Sequence, residues 1–188
     1  MQRSPVHLES DRLVLRMGTP PEVPEILRYY RDNQAHLGPF DPARPPDFYT
    51  ESFWQEQVRR NLHEYRADQS LRLFLFAQKD PTCILGTVNF TAFVRGVSHS
   101  CNLGYGLASE AVGKGYLTEV LPVALGFVFD RLAMHRVQAN YMPHNERSGA
   151  LLKRLGFVIE GYARDYLYIN GAWRDHLLTS LTNPNWQR

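Results

Sequence analysis

Leu103-Gly104-Tyr105-Gly106-Leu107, followed closely by Val112-Gly113-Lys114-Gly115-Tyr116, decides how this chain is read. The first stretch closes a β-rich run from His99 to Leu107, and the second opens a helical pattern from Gly115 to Leu132. A strand, a short glycine-rich turn and a helix N-terminus together make an anion site. Backbone N–H groups without intrahelical acceptors point at the anion, and the helix dipole favours its charge. Glycine lets a phosphate approach because no Cβ stands in the way. Gly104 and Gly106 inside the strand predict a bulge that ends sheet pairing and opens a cleft. Lys114 is not followed by Ser or Thr, so the turn is not a Walker loop. It also lacks the third glycine and the later acid of a dinucleotide fingerprint. Spacing alone leaves two readings, a plain turn or the seat of a phosphate-bearing ligand of unspecified class.

Working outward, Leu8 to Arg16 suits a first strand, and Thr19-Pro20-Pro21-Glu22 starts a helix that runs to about His36. Gly38 to Asp47 holds Pro39, Pro42, Pro45 and Pro46 and is irregular. Thr50-Glu51-Ser52 opens a second helix that reaches about Ala67. Leu71 to Gln78, Ile84 to Val94 and His99 to Leu107 form an antiparallel meander. His135 to Met142 is a strand, and Asn145 to Leu155 is a helix closed by Gly156. Phe157 to Ile169 and Trp173 to Leu181 are strands joined at Asn170-Gly171, a dipeptide favoured in tight hairpins. The order βααβββαβαββ predicts one mixed α/β domain over residues 1–188.

Composition bounds the function. The chain has 188 residues, long enough to bury a self-sufficient core. A formal net charge of +2 argues against a dedicated nucleic-acid binder. The longest apolar run, near Leu121 to Val128, is far short of the ~20 residues that span a bilayer. Met1 to Ser10 has no apolar signal-peptide core, so a cytoplasmic protein is expected. Cys83 and Cys101 make neither a disulfide framework nor a metal site.

The second half carries the specific motif. His135 to Met142 leads into Pro143-His144-Asn145-Glu146-Arg147-Ser148, and the helix ends at Arg154-Leu155-Gly156-Phe157. A strand that diverges from its neighbour leaves a V-shaped slot where an extended ligand could lie as a pseudo-strand. Asn145 would offer it an amide and Ser148 a hydroxyl; alternatively Asn145 is only a helix cap and Ser148 a surface residue.

The order of elements, the glycine pair and the Asn-x-x-Ser helix with its Gly-Phe ending resemble the GNAT acetyltransferase superfamily. Ala139 to Asn145, Glu160 to Tyr166 and Gly171 to His176 further resemble the RimJ-type ribosomal-protein-alanine N-acetyltransferases. The resemblance implies a GNAT fold: a mixed, mostly antiparallel seven-stranded sheet, splayed between its fourth and fifth strands and flanked by about four helices. It also implies transfer of acetyl from acetyl-CoA to the N-terminal α-amine of a protein, with a ribosomal protein as the expected partner, by a monomer or homodimer. Val112, Gly113, Lys114, Gly115 and Tyr116 would hold the pyrophosphate. Tyr105, Leu107 and Asn145 would hold the pantetheine arm, with Ser148 near the leaving thiolate. Two positions depart from the family. Glu110 stands where a Gln or Arg is usual, so phosphate binding should rest on backbone amides. Leu152 stands where many relatives carry the tyrosine that protonates the thiolate, which leaves Ser148 as the nearest substitute.

An N-terminal amine has a pKa near 8, so its deprotonation is a modest task that a water relay to a carboxylate can perform. The thioester carbonyl would take an N–H from around Leu107. Asp165 is the carboxylate candidate, against a plain ion pair with Arg164 or Arg174; Asp175, His99 and His144 are weaker ones. Phe40, Phe48, Tyr49, Phe53 and Trp54 either wall the acceptor side or belong to the core, and Trp54 reads as core. Rival readings are a small-amine acetyltransferase and a non-catalytic acyl-CoA-binding or ribosome-assembly module.

Overall fold

The computed structural model describes residues 3–187; Met1 and Gln2, at the head of the leading segment read above, and Arg188 lie outside the described residues. A single eight-stranded sheet runs through the domain in the order β1-β2-β3-β4-β5-β6-β8-β7. The first expected strand divides into two, β1 (His7–Glu9) and β2 (Leu13–Arg16), paired antiparallel with His7 opposite Arg16. Ser10, Asp11 and Arg12 are turn residues, and the Ser10 N–H closes the turn on the Leu13 carbonyl at 2.9 Å. The extra hairpin explains why the count exceeds the expected seven.

The meander is as expected: β3 (Leu71–Ala77), β4 (Asp80–Val94) and β5 (Ser100–Leu107). The closing hairpin of β7 (Val158–Ile169) and β8 (Ala172–Thr182) turns at Asn170 and Gly171, both at positive φ (47° and 77°), as a tight two-residue turn requires. The strand expected over His135 to Met142 is shorter, with β6 confined to Arg136–Gln138 and only an isolated bridge at Tyr141.

The first helix is broken up. Thr19 and Glu22 form a capping box around a 3₁₀ turn, α1 spans Val23–Asp32, and α2 is only Gln34–Leu37. Asn33 sits at the break and is buried: its amide donates to the Tyr29 carbonyl (2.8 Å) and its Oδ1 accepts the Ser109 N–H (2.8 Å). α3 (Glu51–Arg66) starts at Thr50, whose hydroxyl accepts the Phe53 N–H. α4 (Tyr116–Gly126) runs on into a π-turn at Phe127–Arg131, and α5 (Glu146–Arg154) follows β6.

Each face of the sheet has its own core. Leu13, Leu15, Leu73, Leu75, Val88 and Phe90 pack against Val120, Leu121 and Ala124 of α4. Val14, Phe74, Phe76 and Ile84 pack against α1 and α3 through Ile26, Leu27, Trp54 and Val58. Trp54 is core, as read, and its ring stacks on Tyr30 at 4.8 Å.

β5 and β6 are the one parallel pair among the described residues, in register only at Ser100–Asn102 with Arg136–Gln138. Beyond that point β5 continues to Leu107 with no strand on that side, which is the expected splay. Its cause differs from the expectation. Pairing of β5 with β4 is unbroken from Asn102 to Leu107, so Gly104 and Gly106 make no bulge. The register shift lies further along β4, between Thr91 and Val94, where Ala92 has a φ of 52°. The slot opens because β6 leaves.

Gly86 keeps the β4–β5 pair flush beside the slot. A Cβ there would meet the Gly106 carbonyl oxygen at 2.4 Å and Leu107 Cδ2 at 2.8 Å. Gly86→Ala should therefore cost roughly 1–3 kcal/mol, seen as a fall in Tm of several degrees. It should also raise KM for acetyl-CoA, because Leu107 must shift. An unchanged Tm and KM would show that the strand pair yields freely.

Candidate active site

The slot is the deep part of a cavity of about 770 Å³ that runs between the sheet, α5 and the α1–α3 side. Gly104, Tyr105, Gly106 and Leu107 form one wall, Gln138 to Met142 another, and Asn145, Ser148 and Leu152 a third. Backbone direction on β5 follows from its hydrogen bonds. The Ala108 N–H reaches Leu85 on the β4 side at 2.8 Å, whereas the His99 carbonyl accepts from His135 and Arg136 on the β6 side. Peptide groups alternate along a strand. Leu103, Tyr105 and Leu107 therefore turn their N–H and C=O groups into the slot, where no strand meets them. A ligand with its own amides can pair there as a missing strand.

The glycine turn lies between Val112 and Leu117, both of which line this cavity. Gly113 and Gly115 have φ of 81° and 76°, a region that side-chain-bearing residues avoid. Gly115 caps α4 without any side-chain hydrogen bond, so the first amides of the helix are free for an anion. Arg12 braces the turn: its guanidinium donates to the Lys114 carbonyl (3.2 Å) and to Glu119 (2.6 Å), and lies over the Tyr116 ring. Glu110 is exposed on the 3₁₀ turn Ser109–Ala111 and does not line the cavity.

Asn145 is the N-cap of α5, accepting the Ser148 N–H on Oδ1 at 3.2 Å. Its amide nitrogen remains available to a ligand, so the two roles coexist. Ser148 stands on the first turn beside Tyr105, whose phenol is buried without a hydrogen-bond partner in good geometry. Burial pushes that phenol up to about 12, and the neighbouring Ser148 hydroxyl only partly opposes the rise. Tyr105 thus stays neutral and able to donate at any working pH. Tyr141 leans over Gly149, where a Cβ would meet its ring at 2.9 Å. Leu152 is buried in the core and offers no proton.

The carboxylate candidates are placed less centrally. Asp165 is exposed on a bulge of β7 at a φ of 47°, one residue from the cavity-lining Tyr166 but itself outside the wall. Its N–H is held by Asp175 at 2.8 Å, and Asp175 also accepts from the Tyr162 hydroxyl, so Asp175 braces the hairpin. His99 lies against Trp186 at 4.8 Å, and His144 is exposed near Phe40; neither lines the cavity.

Residues that carried no sequence signal do line it. Asp41, in the proline-rich loop, pairs with Arg44, and burial raises its carboxyl despite that partner. His176 is buried, with Nδ1 2.9 Å from the Arg174 carbonyl and its ring beside Tyr166. Arg12 and Asn33, which brace the glycine turn and the segment before it, also carried no signal in the sequence. Their partners, Lys114 and Ser109, lie 102 and 76 positions away in the chain.

Residues 12–158 match the family model described as the acetyltransferase (GNAT) domain. The chain belongs to the GNAT acetyltransferase family. It is an N-acetyltransferase, and acetyl-CoA is its acetyl donor. It is 42% identical over 181 residues to the [ribosomal protein uS5]-alanine N-acetyltransferase of Escherichia coli, covering 96% of this chain and 93% of that one. The crystal structure of ribosomal-protein-S5-alanine acetyltransferase from Vibrio fischeri superposes with a TM-score of 0.91 at 33% identity, covering 97% of this chain and all of the other. RimJ of Mycobacterium smegmatis in complex with CoA-disulfide gives 0.86 at 26% identity, over 98% and 88% of the two chains. The unpaired β5 edge and the uncapped α4 N-terminus suit the two parts of coenzyme A, its amide-bearing arm and its pyrophosphate.

Because the turn presents backbone rather than charge, Gly113→Val or Gly115→Val should raise KM for acetyl-CoA more than Lys114→Ala does. Titration calorimetry with CoA gives the same ranking directly. A larger effect from Lys114→Ala would mean that the side chain, not the amides, holds the pyrophosphate.

Proposed function

We propose that this GNAT enzyme acetylates the N-terminal α-amine of a polypeptide, with an alanine-bearing ribosomal protein in the cytoplasm as acceptor. The observation that carries this reading is the 42% identity spread over 96% of the chain to an enzyme of that specificity. The cavity supports it: past the slot it continues to α1, α3 and the proline-rich loop, with Phe40, Phe48, Phe53 and Trp54 among its lining residues. A lining spread over that many elements suits an extended chain better than a compact amine.

In this reading the pyrophosphate rests on Val112, Gly113, Lys114, Gly115 and Tyr116. The pantetheine arm pairs with Tyr105 and Leu107 and meets the Asn145 amide. The Leu107 N–H points into the slot, where it stabilises the oxyanion formed as the amine attacks the thioester. The C–S bond then breaks, and Ser148 hands its proton to the thiolate, with the neutral Tyr105 phenol beside it to restore that proton. The amine's own proton leaves through water to a carboxylate. Asp41 in the wall is better placed for this than Asp165 at the mouth, and burial raises its carboxyl above the ordinary range, which favours proton uptake.

Two measurements test the assignment. Peptides beginning with alanine should be acetylated with kcat/KM at least a hundredfold above spermidine or free amino acids, and mass spectrometry of the host's ribosomal proteins should show one acetyl group lost when the gene is removed. Preference for a free amine would overturn the acceptor class. Ser148→Ala should lower kcat roughly 10²-fold with acetyl-CoA binding intact. Assayed beside it, Asp41→Asn should lower kcat/KM more than Asp165→Asn, and the reverse order would assign the relay to Asp165.

A further inference from the structure

Beneath α3 the sheet face changes from apolar to polar within one step along the strands. Register places Phe74, Thr87 and Gly106 in one row across β3, β4 and β5, and Arg72, Asn89 and Gly104 in the next. All three of Phe74, Arg72 and Asn89 border the cavity, but Phe74 belongs to the packed core and the other two present polar groups. Facing them from α3 is Asn61, buried and bonded by the Gln57 amide at 2.7 Å.

Arg72 sits there with only a loose ion pair, to Glu64, and no hydrogen bond to its Nε. Its Nε is shielded from solvent with no acceptor among the described residues. The nearest anion, Glu64, is 4.0 Å away, and its two oxygens are already held by Arg60 (2.7 Å) and Ser70 (2.8 Å). Asp41, the one carboxylate that lines the cavity among the described residues, is paired with Arg44. A guanidinium is a planar fork of donors whose geometry matches a carboxylate two bonds at a time. A leucine at this position would simply extend the core begun by Phe74.

We propose that Arg72, flanked by Asn89 and Asn61, forms a subsite for a carboxylate side chain of the acceptor polypeptide. The reading deepens the acceptor assignment above and rests on it. Leu107 pairs with Gly86, and Gly86 with Leu75, so Arg72 lies two strands across and three residues along from the attack point. At about 4.8 Å per strand and 3.3 Å per residue the separation is roughly 14 Å, which places the acidic residue about two to four positions after the acetylated one.

The test uses alanine-initiated peptides with a single Glu stepped through the second to fifth positions, each against its Gln twin. With the unmodified enzyme, Glu should raise kcat/KM roughly tenfold or more at one of these positions. Arg72→Gln should bring the Glu-to-Gln ratio to about one, and Arg72→Lys should keep only part of it, because the charge remains but the fork is lost. A ratio near one at every position in the unmodified enzyme, or a ratio unaltered by Arg72→Gln, overturns the subsite while leaving the acceptor class standing. Failure to acetylate any peptide while small amines are turned over overturns both. Should Arg72→Gln not fold, the comparison of twins in the unmodified enzyme still decides.

Discussion

Everything functional here depends on one lost pairing. β5 and β6 run side by side for three residues, Ser100–Asn102 with Arg136–Gln138, and then part. The remainder of β5 is held by β4 alone, and its other edge faces a cavity. Buried backbone polar groups left unpaired are costly, so such an edge is in effect a binding site for anything that supplies amides at strand spacing. The pantetheine arm of acetyl-CoA does so. The separation also leaves the cavity open beside β5, so one geometric event supplies both the free strand edge and the space in front of it.

Around that opening the structure is tied down from outside. Arg12, at the tip of the first hairpin, grips the glycine turn and the start of α4. Asn33, at the break between α1 and α2, fixes the segment that leads into the turn. Gly86 lets β4 and β5 lie close, since a Cβ there would stand only 2.4 Å from the Gly106 carbonyl oxygen. On the far side, Asn140 accepts the Thr179 N–H (3.1 Å), so the segment leaving β6 is still anchored to β8. The slot is thus rigid on both sides, which suits a reaction driven mainly by positioning.

Much of this was legible in the chain. Gly113 and Gly115 announce a turn at a helix start by local chemistry alone, and Asn170-Gly171 announces its hairpin. Asn145 announces a helix start, which it proves to be. The errors share a cause. The leading hairpin was taken for one strand because Leu8 to Arg16 keeps its alternation across the turn. The glycines of β5 were taken for a bulge because local sequence cannot show which neighbour departs. Where the candidate carboxylates lie is likewise a matter of the fold: Asp165, amid aromatic residues, sits on a bulge beside the cavity, whereas Asp41, amid prolines, lines the wall.

By itself the sequence determined the element order, the positive-φ glycine turn, the cap of α5 and, through extended blocks of similarity, the family. These are local properties, set by propensity, turn chemistry and spacing within one element. Only the tertiary structure decided which side chains share the cavity. Tyr105 comes to lie beside Ser148, Arg72 beneath Asn61, and Asp41 in the wall because strands far apart in the chain are laid in register and helices are docked on them. No local pattern encodes those encounters, since each residue's environment is made by partners that the sheet, and not the neighbouring residues, brings to it.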